Sequence, residues 1–103
     1  NPYFTTDTAA ALRASEMNCD VLLKGTKVAG VYAEDPVKNP QAQYYPRLTY
    51  HQVLSHNLQV MDMAAVSIAQ ESNLPIYVFS VKEKGGLLKT LQHQNTFSII
   101  ASE

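Results

Sequence analysis

Ile76-Tyr77-Val78-Phe79-Ser80-Val81 is apolar at nearly every position. A strand with one wet face would alternate, so an unbroken run reads as a strand covered on both faces, as in an α/β sheet. Just upstream, Asp62 is placed to cap the alanine-rich helix Met63-Ala64-Ala65-Val66-Ser67-Ile68-Ala69-Gln70-Glu71-Ser72, which Asn73 and Pro75 end. Downstream, Lys84-Gly85-Gly86 turns the chain, Leu87 to Gln92 offers a helical stub, and Thr96 to Ala101 a last strand. Further upstream, Thr49-Tyr50-His51-Gln52 has the form of a capping box and starts a short helix through about His56. Asp7 to Met17 predicts another alanine-rich helix ending near Asn18, and Val21-Leu22-Leu23 a short strand. Val28 to Tyr32 either continues that strand after a bend at Gly25 or pairs beside it. Ala33 to Arg47, with prolines and tyrosines but no apolar period, reads as a long ordered loop. Strands alternating with helices predict an α/β sheet wrapped on both sides, with ligands beyond the carboxyl ends of its strands. The loops after Leu23 and after Val81, and the entry to the first helix, are therefore the places to search.

Composition narrows the function classes. At 103 residues the chain is one domain at most. Its net charge is −1 with the lysines scattered, so the electrostatic footprint of a nucleic-acid binder is absent. No stretch approaches the roughly 18 consecutive apolar residues that span a bilayer. The first residues lack both a basic region and an apolar region of the signal-peptide kind, and the chain begins without Met, as an excised or truncated segment would. Cys19 is the sole cysteine, which excludes an internal disulfide and fits a reducing cytoplasm. It is expected as a small buried residue. His51, His56 and His93 are too far apart to share a helix face and are expected at the surface. No metal site is predicted.

Two segments carry candidate chemistry. Asn1-Pro2-Tyr3-Phe4-Thr5-Thr6-Asp7 places two hydroxyls and a carboxylate at a helix start, where backbone N–H groups favour an anion. On spacing alone, Thr5 or Thr6 as a plain helix cap is the simpler reading. Lys24-Gly25-Thr26-Lys27-Val28-Ala29-Gly30-Val31-Tyr32-Ala33-Glu34-Asp35-Pro36 follows a short strand. There a flat aromatic can cover a base, a threonine can bond to it, and an aspartate can accept from ribose hydroxyls. A core tyrosine and an Asp-Pro turn are the plainer alternative. Asp62 likewise needs no role beyond helix capping.

Together these segments resemble the C-terminal half of bacterial uridylate (UMP) kinases, in the amino acid kinase family. The resemblance runs from Asn1 to about Gly86 and implies the C-terminal part of the amino acid kinase αβα sandwich, a mainly parallel sheet flanked by helices, over residues 1–103. It implies that Asn1, Pro2, Tyr3, Phe4, Thr5 and Thr6 line the acceptor UMP, with the threonines nearest its phosphate. Asp7 falls where the family keeps a carboxylate that orients a catalytic lysine, and Asp62 where it keeps an acid near the active centre. Thr26, Tyr32 and Asp35 match the positions that contact ATP, with Lys27 as a phosphate partner. Ala29 stands where the family usually has Asp, and Ser80-Val81-Lys82-Glu83-Lys84-Gly85 replaces its usual Asn-Met-Asn-Lys-Pro-Gly, so no ligand role is carried onto that turn.

The implied reaction moves the ATP γ-phosphoryl to UMP, giving UDP and ADP, with Mg²⁺ and no covalent intermediate, in cytoplasmic pyrimidine nucleotide synthesis. The resemblance further implies that the catalytic lysine, the glycine-rich loop and most of the uridine pocket belong to an N-terminal half outside this chain. The chain alone is then expected to keep part of the ATP site without turnover. It is expected to dimerise or swap elements through an unpaired sheet border, whereas the intact enzymes are hexamers regulated by GTP and UTP. Two alternatives stay open: another member of the family, such as aspartate, glutamate or carbamate kinase, and a non-catalytic ATP-binding regulatory module.

Overall fold

The computed structural model describes residues 6–27, 30–34, 36, 38–56, 58, 61–82, 85–93 and 96–102, with Thr6, Asp7 and Leu87 described by backbone only. Ten elements follow in order: α1 (Thr6–Glu16), β1 (Leu22–Thr26), β2 (Val31–Tyr32), β3 (Tyr44–Tyr45), β4 (Arg47–Thr49), α2 (Tyr50–Ser55), α3 (Met63–Glu71), β5 (Ile76–Ser80), α4 (Gly86–Leu91) and β6 (Ser98–Ala101). The main sheet has the order β1-β5-β6-β4. β1 pairs parallel with β5 and β4 parallel with β6, while β5 and β6 are antiparallel. The fold is thus α/β, with a mainly parallel sheet flanked by helices.

Ile76 to Ser80 form β5 inside this sheet, whereas Val81, read with them as strand, lies in the turn beyond it and is exposed. Ile76 and Val78 are fully buried on the face that meets the helices, with Ile100 beside them on β6 and Val66 and Ala69 of α3 above. Each such aliphatic side chain contributes roughly 1.5–3 kcal/mol when removed from water. Tyr77 points to the opposite face, where its ring meets His93 and Phe97 at centroid separations of 5.8 and 5.3 Å. The strand is covered on both sides, as its composition predicts.

Alanines explain how the helices pack. Ala11 and Ala14 of α1 and Ala65 and Ala69 of α3 are buried where the two helices meet. Both helices end by the same device. Asn18 and Asn73 adopt left-handed φ of 53°, and the N–H groups of Cys19 and Leu74 return to Ala14 and Ala69, five residues back. Asparagine tolerates that conformation better than other side chains with a Cβ. The chain is thereby reversed into β1 and β5, each antiparallel to the helix before it. The capping box of α2 forms as predicted: Thr49 Oγ1 accepts from the Gln52 N–H at 3.0 Å, and Gln52 Oε1 accepts from the Thr49 N–H at 2.8 Å.

Three expectations are corrected. Val31 and Tyr32 do not extend β1; they pair antiparallel with Tyr44 and Tyr45 as a separate two-stranded sheet. The stretch read as a loop from Ala33 to Arg47 holds β3 and the first residue of β4, both too short for an alternation to show. Cys19 is exposed, because the turn that closes α1 carries it past the buried helix face. His51, His56 and His93 are at the surface, as expected. Among the described residues, no helix is long and apolar enough to cross a membrane.

Candidate nucleotide site

Parallel register decides where the site lies. β1 and β5 run side by side from Leu22 opposite Ile76 to Thr26 opposite Ser80. Their carboxyl ends therefore finish together, with the Val81 N–H donating to the Thr26 carbonyl at 2.8 Å. Since α1 and α3 run antiparallel to the strands that follow them, both helices begin at that same end. The hydroxyls of Ser15 and Ser72 bond to each other, which brings the carboxyl ends of α1 and α3 together at the far end. One end of the molecule thus gathers the start of α1, the Asp62 cap of α3, and Thr26, Lys27, Ser80 and Lys82. Such an end, where strands stop and helix N–H groups open outward, suits an anionic ligand.

Thr26 is half-buried, and its hydroxyl lies 3.5 Å from the Phe79 carbonyl. Lys27 follows it and is exposed. Asp62 is half-buried, and its Oδ1 accepts from the Ala64 N–H at 2.8 Å, so its capping role is realised. One carboxylate oxygen is committed to the helix. The Ser80 hydroxyl accepts from the Lys82 N–H at 3.2 Å and shapes the turn out of β5.

Tyr32 lies on the small β2–β3 sheet. Its ring stacks obliquely on Tyr44, with centroids 5.4 Å apart and planes at 51°. The Tyr44 hydroxyl donates to the Phe97 carbonyl, and Ser98, fully buried, bridges the two sheets. Its hydroxyl accepts from the Val31 N–H at 2.8 Å and donates to the Tyr45 carbonyl at 2.6 Å. β6 runs antiparallel to β5, with Ser98, its first residue, opposite Val78 at the middle of β5. The hairpin is therefore anchored at the start of β6, two positions along β5 from the residue that Thr26 faces. Gly30 makes the anchoring possible: a Cβ there would sit 2.4 Å from Ser98 Oγ and 2.8 Å from Tyr44 Cε2. Burial raises the Tyr44 hydroxyl above its usual pKa of 10.0, the Ser98 hydroxyl partly offsets this, and Tyr32 adds to the rise.

Of the candidate residues, Thr26, Lys27 and Asp62 are described and lie toward this end, and Tyr32 is described on the hairpin held at the start of β6. Asn1, Pro2, Tyr3, Phe4, Thr5 and Asp35 lie outside the described residues, and Thr6 and Asp7 are placed only by the backbone that opens α1. Ser98, Tyr44 and Tyr45 had no functional reading in the sequence. A serine inside the otherwise apolar run Phe97 to Ala101 was the available signal. Among the described residues no group of three His, Cys, Asp or Glu side chains could hold a metal ion.

Known proteins resemble the chain over nearly its whole length. A protein of Rickettsia bellii named "Uridylate kinase" is 56% identical over 100 residues, covering 97% of this chain and 42% of its own length. One of the same name from Magnetococcus marinus is also 56% identical, with the same coverage. The crystal structure of UMP kinase from Ureaplasma parvum superposes with a TM-score of 0.92 at 39% identity, over 97% of this chain and 43% of that one. The chain thus spans about two fifths of the length of the relatives it matches. The model described as "Amino acid kinase family" matches residues 2–80, and the chain belongs to the amino acid kinase family.

Proposed function

We propose that the chain is the ATP-binding part of a uridylate kinase, in which the UMP phosphate attacks the γ-phosphorus of ATP and ADP leaves. The observation that carries this reading is the β1–β5 register, which ends with Thr26 opposite Ser80 at the end where α1 and α3 begin. The names of the curated relatives support the choice of UMP as acceptor. In this reading Tyr32 covers the adenine, Thr26 bonds to it, Asp35 accepts from the ribose hydroxyls, and Lys27 neutralises phosphate. Asn1 to Thr6 cradle the UMP phosphate, and Asp7 and Asp62 orient cationic groups around it.

Phosphoryl transfer of this kind is mostly positioning and charge neutralisation. Mg²⁺ enters with ATP as part of the substrate, held chiefly by phosphate oxygens and water. The described carboxylates do not form a cage for it, and no protein ligand is assigned. Residues 1–103 act as one domain within a larger cytoplasmic, hexameric enzyme that responds to GTP and UTP. The chain alone binds ATP without turning over UMP.

Isothermal titration with Mg²⁺–ATP tests the reading, with a Tyr32→Ala, Asp35→Ala double variant as control and a coupled UDP assay alongside. Heat of binding that disappears in the double variant, with no UDP formed, is the expected result. Equal binding by both proteins would overturn it.

A further inference from the structure

We propose that Ser98 is a positioning residue for the adenine nucleotide, acting through Tyr32, with Tyr44 as its second anchor; this rests on the ATP reading above. Ser98 is paired with Val78 in the main sheet, yet its side chain serves the other one. A single buried hydroxyl takes the Val31 N–H at 2.8 Å and gives its proton to the Tyr45 carbonyl at 2.6 Å, tying together both strands of the hairpin that carries Tyr32. Those strands have only two residues each and a single short ladder between them. So short a ladder cannot set its own position, since two-stranded hairpins are marginal without packing support. The Tyr44 hydroxyl on the Phe97 carbonyl and the Tyr44 ring against Tyr32 complete the attachment. Gly30 fits the same account, because any side chain there would displace Ser98 or Tyr44.

A buried serine in a strand next to the core would serve stability alone if its partners lay in that strand or its neighbours. Here its partners, the Val31 N–H and the Tyr45 carbonyl, lie on the hairpin that bears the candidate base-stacking ring. Removing the hydroxyl leaves a buried N–H and a half-buried carbonyl without that partner, which they regain only by shifting the hairpin. The ring of Tyr32 then moves away from the base while the phosphate end of the site keeps its geometry.

The test is a double-mutant cycle on the full chain, reading Mg²⁺–ATP affinity in wild type, Ser98→Ala, Tyr32→Ala and the double variant, with Mg²⁺–tripolyphosphate as a base-free probe. Ser98→Ala is expected to weaken ATP about three- to tenfold, the size of one or two lost hydrogen bonds. It should leave tripolyphosphate unchanged and add nothing once Tyr32 is already alanine. Additive losses in the cycle, or equal losses for both probes, would overturn the positioning role and leave the ATP reading standing. ATP binding indifferent to Tyr32→Ala would overturn that reading itself, and the proposal with it. Should Ser98→Ala not fold, Tyr44→Phe keeps the ring and removes only its anchor. The same loss for ATP alone is then expected, and unchanged affinity would contradict the proposal.

Discussion

The main sheet and the small β2–β3 sheet are held in place by different physics. In the former, four strands share continuous ladders, and Ile76, Val78 and Ile100 are sealed between helices and sheet. In the latter, two dipeptides rest on hydroxyl groups from β3 and β6, and of their four side chains only Val31 is buried. Apolar burial is non-directional and tolerates neighbours of many shapes, whereas hydroxyl anchors fix position and fail one at a time. A rigid sheet thus presents a more adjustable element at its carboxyl end, where a ligand would be met. Loss of the first should unfold the chain; loss of the second should move a ring.

The largest effect expected is from Ile76→Ala. It empties a fully buried site at the centre of the sheet and should cost about 2–5 kcal/mol, read as a fall in the denaturant midpoint. A smaller loss would mean that the sheet is not the stable body described here. Gly30→Ala should cost about 1–3 kcal/mol through crowding against Ser98 and Tyr44. Amide exchange should then quicken at residues 30–33 and 43–45 while Val78 and Ile100 stay protected. Uniform quickening would erase the distinction between the two sheets.

The sequence made one of these regions visible and hid the other. β5, the α2 capping box and the asparagine ends of α1 and α3 are local signals, written within a few residues of the feature they cause. Tyr44-Tyr45 and Arg47-Leu48-Thr49 become strands only because Val31 and Ile99 arrive from elsewhere in the chain. Nothing within two or three residues can announce a partner that lies far along the chain. The placement of β6 between β5 and β4, antiparallel to the former and parallel to the latter, is hidden for the same reason. At the candidate site, Thr26, Lys27 and Tyr32 stand out through the resemblance of their loop. Ser98 was not, since its role depends on meeting Val31 and Tyr45 across the fold.

Asp62 separates capping from catalysis at a smaller scale. Asp62→Ala should cost about 1 kcal/mol by freeing the Ala64 N–H, and Asp62→Asn should restore most of it. Thermal unfolding of the two variants measures the cap. A function beyond capping would appear as ATP binding that Asn does not rescue.

The subtlest contrast lies in alkali. Tyr50, in the main core, donates to the Leu74 carbonyl, and burial raises its pKa above 10.0; Tyr44, in the hairpin, is raised chiefly by burial as well. Both favour the neutral phenol in the folded state, so their contribution is complete below pH 10 and is lost as pH rises through the raised values. Denaturant midpoints from these groups should be flat between neutral pH and about 9.5, then fall. Tyr50→Phe should flatten the alkaline fall while lowering stability throughout. An unchanged slope would assign the loss to other groups.

Photoaffinity labelling with 8-azido-ATP and Mg²⁺, followed by peptide mapping, tests the central claim most directly. Adducts within residues 26–36, suppressed by excess ATP, are the result predicted by a nucleotide site at the carboxyl ends of β1 and β5. Adducts concentrated at the opposite end, in the groove lined by Ala14, Ser15, Asn18, Cys19, Ser72 and Leu74, would contradict it.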